Sequence, residues 1–168
     1  MMFPGNNMQA STYKKHLYWL WLTVLIIIAD QVSKYFAIHQ LSHEQPIVLL
    51  PWLNFVFVSN TGAAFNLLTH AGGWQQWLFG GIAIVVSIVI LLWLYRLPSK
   101  DIWTAISLSL ILGGALGNLI DRITHGFVID FILFHVNQWQ WPVFNVADSA
   151  ICVGAFILVL TVCFSKKG

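Results

Sequence analysis

The stretch Gly113–Ser149, GGALGNLIDRITHGFVIDFILFHVNQWQWPVFNVADS, decides how this chain is read. It begins inside a glycine-rich apolar run, crosses an irregular segment, and ends where another apolar run opens. Asp121, Asp130 and Asp148 lie in it, half of the chain's six carboxylates, together with Arg122, Asn118 and Asn145. Ionised groups kept in apolar company are costly unless paired. These residues therefore need a structural partner or a chemical task.

Outward from this stretch the composition is that of a membrane protein. Of 168 residues, 58% are hydrophobic and 8% charged, and the mean hydropathy is +0.77. A soluble domain carries about 25% charged residues. The expected architecture is mainly α: one integral membrane domain over residues 1–168, with four transmembrane helices at about 16–38, 74–97, 101–122 and 145–165. Residues 1–13 read as a disordered tail. The net charge of +2, without a basic stripe, excludes nucleic acid as a partner. Cys152 and Cys163 are separated by roughly 16 Å of helix rise, beyond disulfide reach, and read as small packing residues. No zinc-ligand spacing occurs.

The apolar run Leu17–Ala29 behind Lys14 and Lys15 has the outline of a cleavable signal peptide. No small-x-small site follows, and Asp30–Lys34 continues the helical pattern, so a first span is favoured. Asp30 and Lys34 stand at i, i+4 with the acid first and can pair. They read mainly as an interfacial ion pair, with snorkelling lowering the burial cost. A catalytic role is the lesser alternative.

Two irregular regions interrupt the spans. In residues 39–73, the β-branched and aromatic run Ile47–Val58 is too short to span and suits strands lying at headgroup level. Asn60 is placed to offer an amide to an extended peptide; equally, Asn60 and Gly62 simply make the turn. The second region, 123–144, holds GFVIDFILF and a tryptophan-rich, hairpin-like piece. Six of the eight Lys and Arg residues (14, 15, 96, 100, 166, 167) fall on one side of a four-span arrangement; Lys34 and Arg122 fall on the other. The positive-inside rule then makes both termini cytoplasmic and puts the small β-element and loop on the outer, periplasmic surface.

All the unusual polar groups converge on that outer side. Arg122 could bind a carboxylate, a carbonyl or a phosphate bidentately, or merely anchor a helix end. Asp121 could orient it. Asp130, between bulky apolar neighbours, is expected to be desolvated and to have a raised pKa. Asp148 stands three residues after Asn145, near the positive end of the fourth helix, and also fits an ordinary capping box. Two carboxylates whose environments push their proton affinities apart make an acid/base pair. The chemistry is that of an aspartic protease, which uses neither metal nor cofactor. His125 and His135 bracket Asp130 but make a weak metal signal, and HExxH and GxSxG are absent.

Five blocks then carry a resemblance: Asp30-Gln-Val-Ser-Lys34, Asn60-Thr-Gly-Ala-Ala-Phe65, Gly117-Asn-Leu-Ile-Asp-Arg122, Gly126-Phe-Val-Ile-Asp-Phe131 and Phe144-Asn-Val-Ala-Asp148. In this order and at these membrane positions the chain resembles bacterial lipoprotein signal peptidase, or signal peptidase II, over nearly its full length. The resemblance implies a hydrolase of the inner membrane that removes the signal peptide from diacylglyceryl-modified prolipoproteins, just before the lipid-bearing cysteine. It implies an Asp130/Asp148 dyad, a polar shell of Asn60, Gly62, Asn118, Arg122 and Asn145, and structural support from Asp30, Lys34 and Asp121. It further implies contact with membrane lipid and inhibition by globomycin-type cyclic peptides. A monomer is expected. The competing readings are a proton-coupled transporter, disfavoured by four short spans without repeats, and a lipoprotein-binding module without activity.

Overall fold

The structure is a computed structural model that describes residues 14–41, 45–62 and 73–164, the side chains of residues 14 and 15 excepted. The tail expected over residues 1–13 lies outside the described residues. So do residues 42–44, 63–72 and 165–168, with His43, His70 and the Ala-Ala-Phe end of the second block.

A 3-10 turn, Lys14–Trp19, leads into α1 (Leu20–Gln40); α2 (Gln75–Arg96), α3 (Ile102–His125) and α4 (Val146–Phe164) follow. Each is long and apolar enough to cross a membrane. In α3 61% of the most apolar window is buried, against 17–22% in the other three, so α3 is the central helix. Its contacts give the directions. The hydroxyl of Thr23 on α1 donates to the Ser109 carbonyl at 3.0 Å, and Gln31 of α1 donates to Gly117 and Asp121, so α1 and α3 run parallel. Gly114 lies against Ala147 and Ile151 while Ser107 lies against Gly154, so α4 is antiparallel to α3. Phe79, at the start of α2, lies under Arg122, near the end of α3.

Small residues let these helices close up. A Cβ on Gly113 would stand 2.8 Å from Ile26 Cβ, and one on Gly117 2.6 Å from Asp30 Oδ2. One on Gly114 would overlap the Ala147 carbonyl oxygen. At the end away from the sheet, Ile90, Leu94 and Leu97 of α2 with Ala105, Leu108 and Leu112 of α3 form an apolar cluster. There the buried His16 ring bonds the Pro98 carbonyl at 2.8 Å.

Three details differ from the sequence reading. Helix α3 runs on past residue 122 and stops at Gly126, which takes the left-handed conformation (φ 79°) and donates to the Arg122 carbonyl at 3.2 Å. Arg122 therefore sits a turn inside the helix, not at its tip. Cys152 and Cys163 are exposed on α4, and Ala147, Ala150 and Gly154 do the close packing instead. The β-element is also larger than Ile47–Val58. Strands β1 (Ile47–Leu50), β2 (Leu53–Asn60), β3 (Val128–Val136) and β4 (Trp139–Gln140) form one antiparallel sheet in the order β1-β2-β3-β4. Strand β3 falls in the region 123–144 that the sequence reads as irregular. Its pleat explains the carboxylate: Ile129 and Phe131 point into a cluster with Ala37 and Leu41 of α1, while Val128 and Asp130 face a cavity. The outermost strand, β1, is exposed throughout, with Trp52 stacked on Phe134 across the sheet.

Candidate active site

The cavity, about 520 Å³, opens between the sheet and the ends of α3 and α4 nearest it. Asn60, Gly62, Asn118, Arg122, Asp130 and Asp148 all line it, so residues from β2, α3, β3 and α4 meet there. A neighbouring cavity of about 420 Å³ shares Asn60 and Asp130 and is walled by Gln140, Trp141 and Pro142.

The register of the sheet positions Asp130. Val58 pairs with Asp130 across β2 and β3, which brings Asn60 alongside. Asn60 Nδ2 donates to Asp130 Oδ2 at 2.9 Å, and its own Oδ1 accepts the Gly62 N–H at 3.0 Å. Asn60 thus makes the turn with Gly62, and its amide N–H is turned to Asp130. Asp148 is fixed by helix capping. Asn145 Oδ1 accepts the Asp148 N–H at 2.8 Å, and Asp148 Oδ2 accepts the Asn145 N–H at 3.3 Å, a reciprocal capping box.

Two asparagines join the carboxylates. Asn145 Nδ2 donates to Asp130 Oδ1 at 2.7 Å and lies 3.1 Å from Asn118 Oδ1. Asn118 Nδ2 donates to Asp148 Oδ1 at 2.8 Å. All four oxygens of the two aspartates thus accept one N–H each. Burial pushes the Asp130 carboxyl up to about 7, and the neighbouring Asp148 charge adds to the rise; the Asn60 and Asn145 bonds only partly offset it. A carboxyl in that state exchanges its proton near neutrality. A partner carboxylate beside it can take a proton from water.

Asp30, Lys34 and Asp121 lie behind this wall, fully buried. Lys34 Nζ is 2.8 Å from Asp30 Oδ2 and 2.8 Å from Asp121 Oδ2. Asp30 Oδ1 accepts the Ala147 N–H at 2.9 Å, and Asp121 Oδ2 accepts the Ile129 N–H at 3.0 Å. The cluster ties α1 to α3, α4 and β3 from within. Lys34 does not snorkel to an interface as expected, because its ammonium finds every partner inside the bundle. Nor does Asp121 orient Arg122: its oxygens are engaged by Lys34, Gln31 and Ile129. The guanidinium of Arg122 donates to the Asn118 carbonyl at 3.3 Å and lies 5.5 Å from the Phe79 ring centroid.

Gln31, whose amide reaches Asp30, Asp121 and the Gly117 carbonyl, and Phe79 are site neighbours that sequence reading does not single out. Apart from the Gln31–Asp30 bond, their partners are remote in the chain, where spacing gives no signal. Among the described residues, no three His, Cys, Asp or Glu side chains are gathered to hold a metal ion.

Comparison with known proteins fits this architecture. Residues 22–164 match the model of the peptidase A8 family, signal peptidase (SPase) II. A lipoprotein signal peptidase of Pseudomonas syringae pv. tomato is 54% identical over 160 residues, covering 94% of this chain and 92% of that protein. One from Coxiella burnetii is 53% identical over 147 residues, 88% of this chain and 90% of that protein. A bacterial membrane enzyme solved by the in meso method at 2.3 Å resolution superposes with a TM-score of 0.81 at 28% identity, covering 89% of this chain and 90% of that one. Fold and relatives together define a helical membrane peptidase of the aspartic class. The chain belongs to the signal peptidase II family, and its activity is the cleavage of signal peptides.

Proposed function

We propose that Asp130 and Asp148 are the catalytic dyad, and that the bond cut is the one just before the lipid-bearing cysteine of a diacylglyceryl-modified prolipoprotein. The observation that carries this reading is that both carboxylates face one cavity while each of their oxygens holds an amide N–H. A pair of this kind titrates as a unit and carries one proton near neutral pH. Asp130, raised to about 7, holds the proton and donates it in a hydrogen bond to the scissile carbonyl. Asp148 accepts a proton from the attacking water. Attack, with transfer of the Asp130 proton to the carbonyl oxygen, gives a tetrahedral gem-diol; the Asp148 proton then passes to the departing amide nitrogen and a diol proton returns to Asp130 as the C–N bond breaks.

Arg122 and Asn60 line the same cavity and are suited to bind substrate carbonyls, with Gly62 leaving the backbone accessible beside them. Asn118 and Asn145 hold the aspartates. Ile151, Cys152 and Val153 continue the cavity down the face of α4, an apolar route for a signal peptide arriving sideways through the bilayer. The cationic residues Arg96 and Lys100 stand at the opposite end of the bundle, beside the loop that His16 holds. By the positive-inside rule that end is cytoplasmic, as are the termini, and the site lies on the periplasmic side of the inner membrane. Globomycin-type cyclic peptides fit the same cavity as substrate mimics, and the enzyme works as a monomer in contact with membrane lipid.

The test is cleavage of a purified lipidated prolipoprotein in detergent, with product mass read by spectrometry. Asp130→Asn and Asp148→Asn should each abolish it while the thermal unfolding of the enzyme stays cooperative. Wild-type turnover in either variant removes the dyad, and a cut elsewhere than before the lipidated cysteine removes the site assignment.

A further inference from the structure

Lys34 has three ammonium hydrogens and three partners. Two are the carboxylates of Asp30 and Asp121, which a counterion would need. The third is different: Lys34 Nζ donates to Asn118 Oδ1 at 2.9 Å, and that asparagine is the residue bridging to the dyad. A primary amide has an oxygen end and a nitrogen end, and here every neighbour selects the same orientation. Flipped, Asn118 would set its NH2 against the Lys34 ammonium and the Asn145 NH2, and its oxygen against Asp148 Oδ1. Both ends would then be repulsive.

We propose that Lys34 is a positioning residue for the dyad: its ammonium locks the Asn118 amide in the one orientation that presents Nδ2 to Asp148 and a shared oxygen to Asn145. The proposal rests on the Asp130/Asp148 reading and gives a buried cation a task beyond neutralising its neighbours. Asp148 is gripped directly by Asn118. Asp130 is gripped one step later, through Asn145, whose Nδ2 lies within reach of both Asn118 Oδ1 and Asp130 Oδ1. The charged groups facing this network are Asp30 and Lys34 from α1, Asp121 and Arg122 from α3, Asp130 from β3 and Asp148 from α4. Removing the Lys34 charge alone therefore disfavours the carboxylate forms of the dyad and moves its titration to higher pH. Loss of the amide lock misplaces the reacting groups, and about 1 Å of misplacement can cost about 100-fold in rate.

The experiment separates charge from orientation. Lys34→Met/Asp121→Asn removes one charge of each sign, so the net charge of the cluster is unchanged, but leaves no donor for Asn118. Lys34→Gln/Asp121→Asn has the same charge and restores an N–H donor. We expect kcat to fall roughly 10- to 100-fold in the Met variant with little change in KM. The Gln variant should recover most of it, and both bell-shaped pH profiles should stay near the wild-type position. In the single variant Lys34→Met the whole bell should move to higher pH. Equal kcat in the Met and Gln variants, both folded by thermal unfolding, overturns the proposal and leaves Lys34 a counterion. If these variants do not fold, Asn118→Leu keeps Asp30, Lys34 and Asp121 together and removes only the bridge; wild-type kcat there overturns the proposal as well. Asp130→Asn and Asp148→Asn are run alongside. Activity in either removes the dyad itself, whereas inactivity in both with equal Met and Gln variants removes only the role of Lys34.

Discussion

Two clusters sit back to back at the sheet end of this bundle, and each contains a pair of aspartates. In one, Asp30 and Asp121 share the ammonium of Lys34, and all three are buried and line neither of the two cavities described. In the other, Asp130 and Asp148 share only neutral amides and face an open cavity of about 520 Å³. The first pair shares one ammonium, which offsets one of its two negative charges, and its lone pairs are taken up by Lys34, Gln31, Ala147 and Ile129. It holds helices together and has nothing to exchange. The second pair is held by amides at the cavity wall, with the Arg122 charge lining the same cavity. One buried pair braces the helices from within, and the other is held by amides at a cavity wall.

Four experiments would break or sharpen this contrast. The largest effect is expected at the open pair, where Asp130→Asn or Asp148→Asn should lower the cleavage rate by about 10⁴-fold or more, as for other catalytic units whose members act together. Unfolding of these variants should change little by comparison. At the closed cluster the order reverses. Asp30→Ala leaves Lys34 short of a partner and strands the Ala147 N–H, so it should destabilise the fold by about 3–5 kcal/mol. Chemical unfolding in detergent reads this directly, and a loss below about 1 kcal/mol would mean that the cluster is not a brace.

The packing that presses the two clusters together should be nearly as sensitive. Gly117→Ala puts a methyl group 2.6 Å from Asp30 Oδ2 and should cost about 1–3 kcal/mol, while Gly81→Ala on α2 meets nothing within 4 Å and should leave stability unchanged. The smallest effect is a pH dependence. Because the folded-state pKa of Asp130 is raised to about 7, the folded protein binds a proton that the unfolded chain has already released. That contribution is fully present below the ordinary carboxylate range and is lost as pH rises through about 7. Asp130→Asn should flatten this decline, and an unchanged slope of stability against pH would argue that Asp130 is not the proton-holding member.

Much of the site was legible before any coordinates. In a chain with 8% charged residues, each carboxylate in an apolar setting is conspicuous, and three within Gly113–Ser149 could hardly be ornamental. The capping relation of Asn145 and Asp148 is local, three residues apart, and could be read from spacing. Strand β3 was not legible in the same way, because its partner β2 lies some 70 residues earlier: Asn60 and Asp130 meet only through the sheet register. The Asp30–Lys34 pair is legible from its i, i+4 spacing, but the depth of its burial is not, since the further partners Asn118 and Asp121 belong to another helix.

The sequence by itself determined the four apolar helices and the set of polar residues gathered at one end, because hydrocarbon admits long apolar helices and makes every other charge expensive. What only the tertiary structure decided is how those charges divide. The close approach of α1 and α3 at Gly113 and Gly117 brings Lys34 to Asp30 and Asp121 and leaves Asp130 and Asp148 to the amides. Which carboxylate receives the cation depends on helix register and on the pleat of β3. Both are set by packing between segments far apart in the chain, where local spacing carries no information.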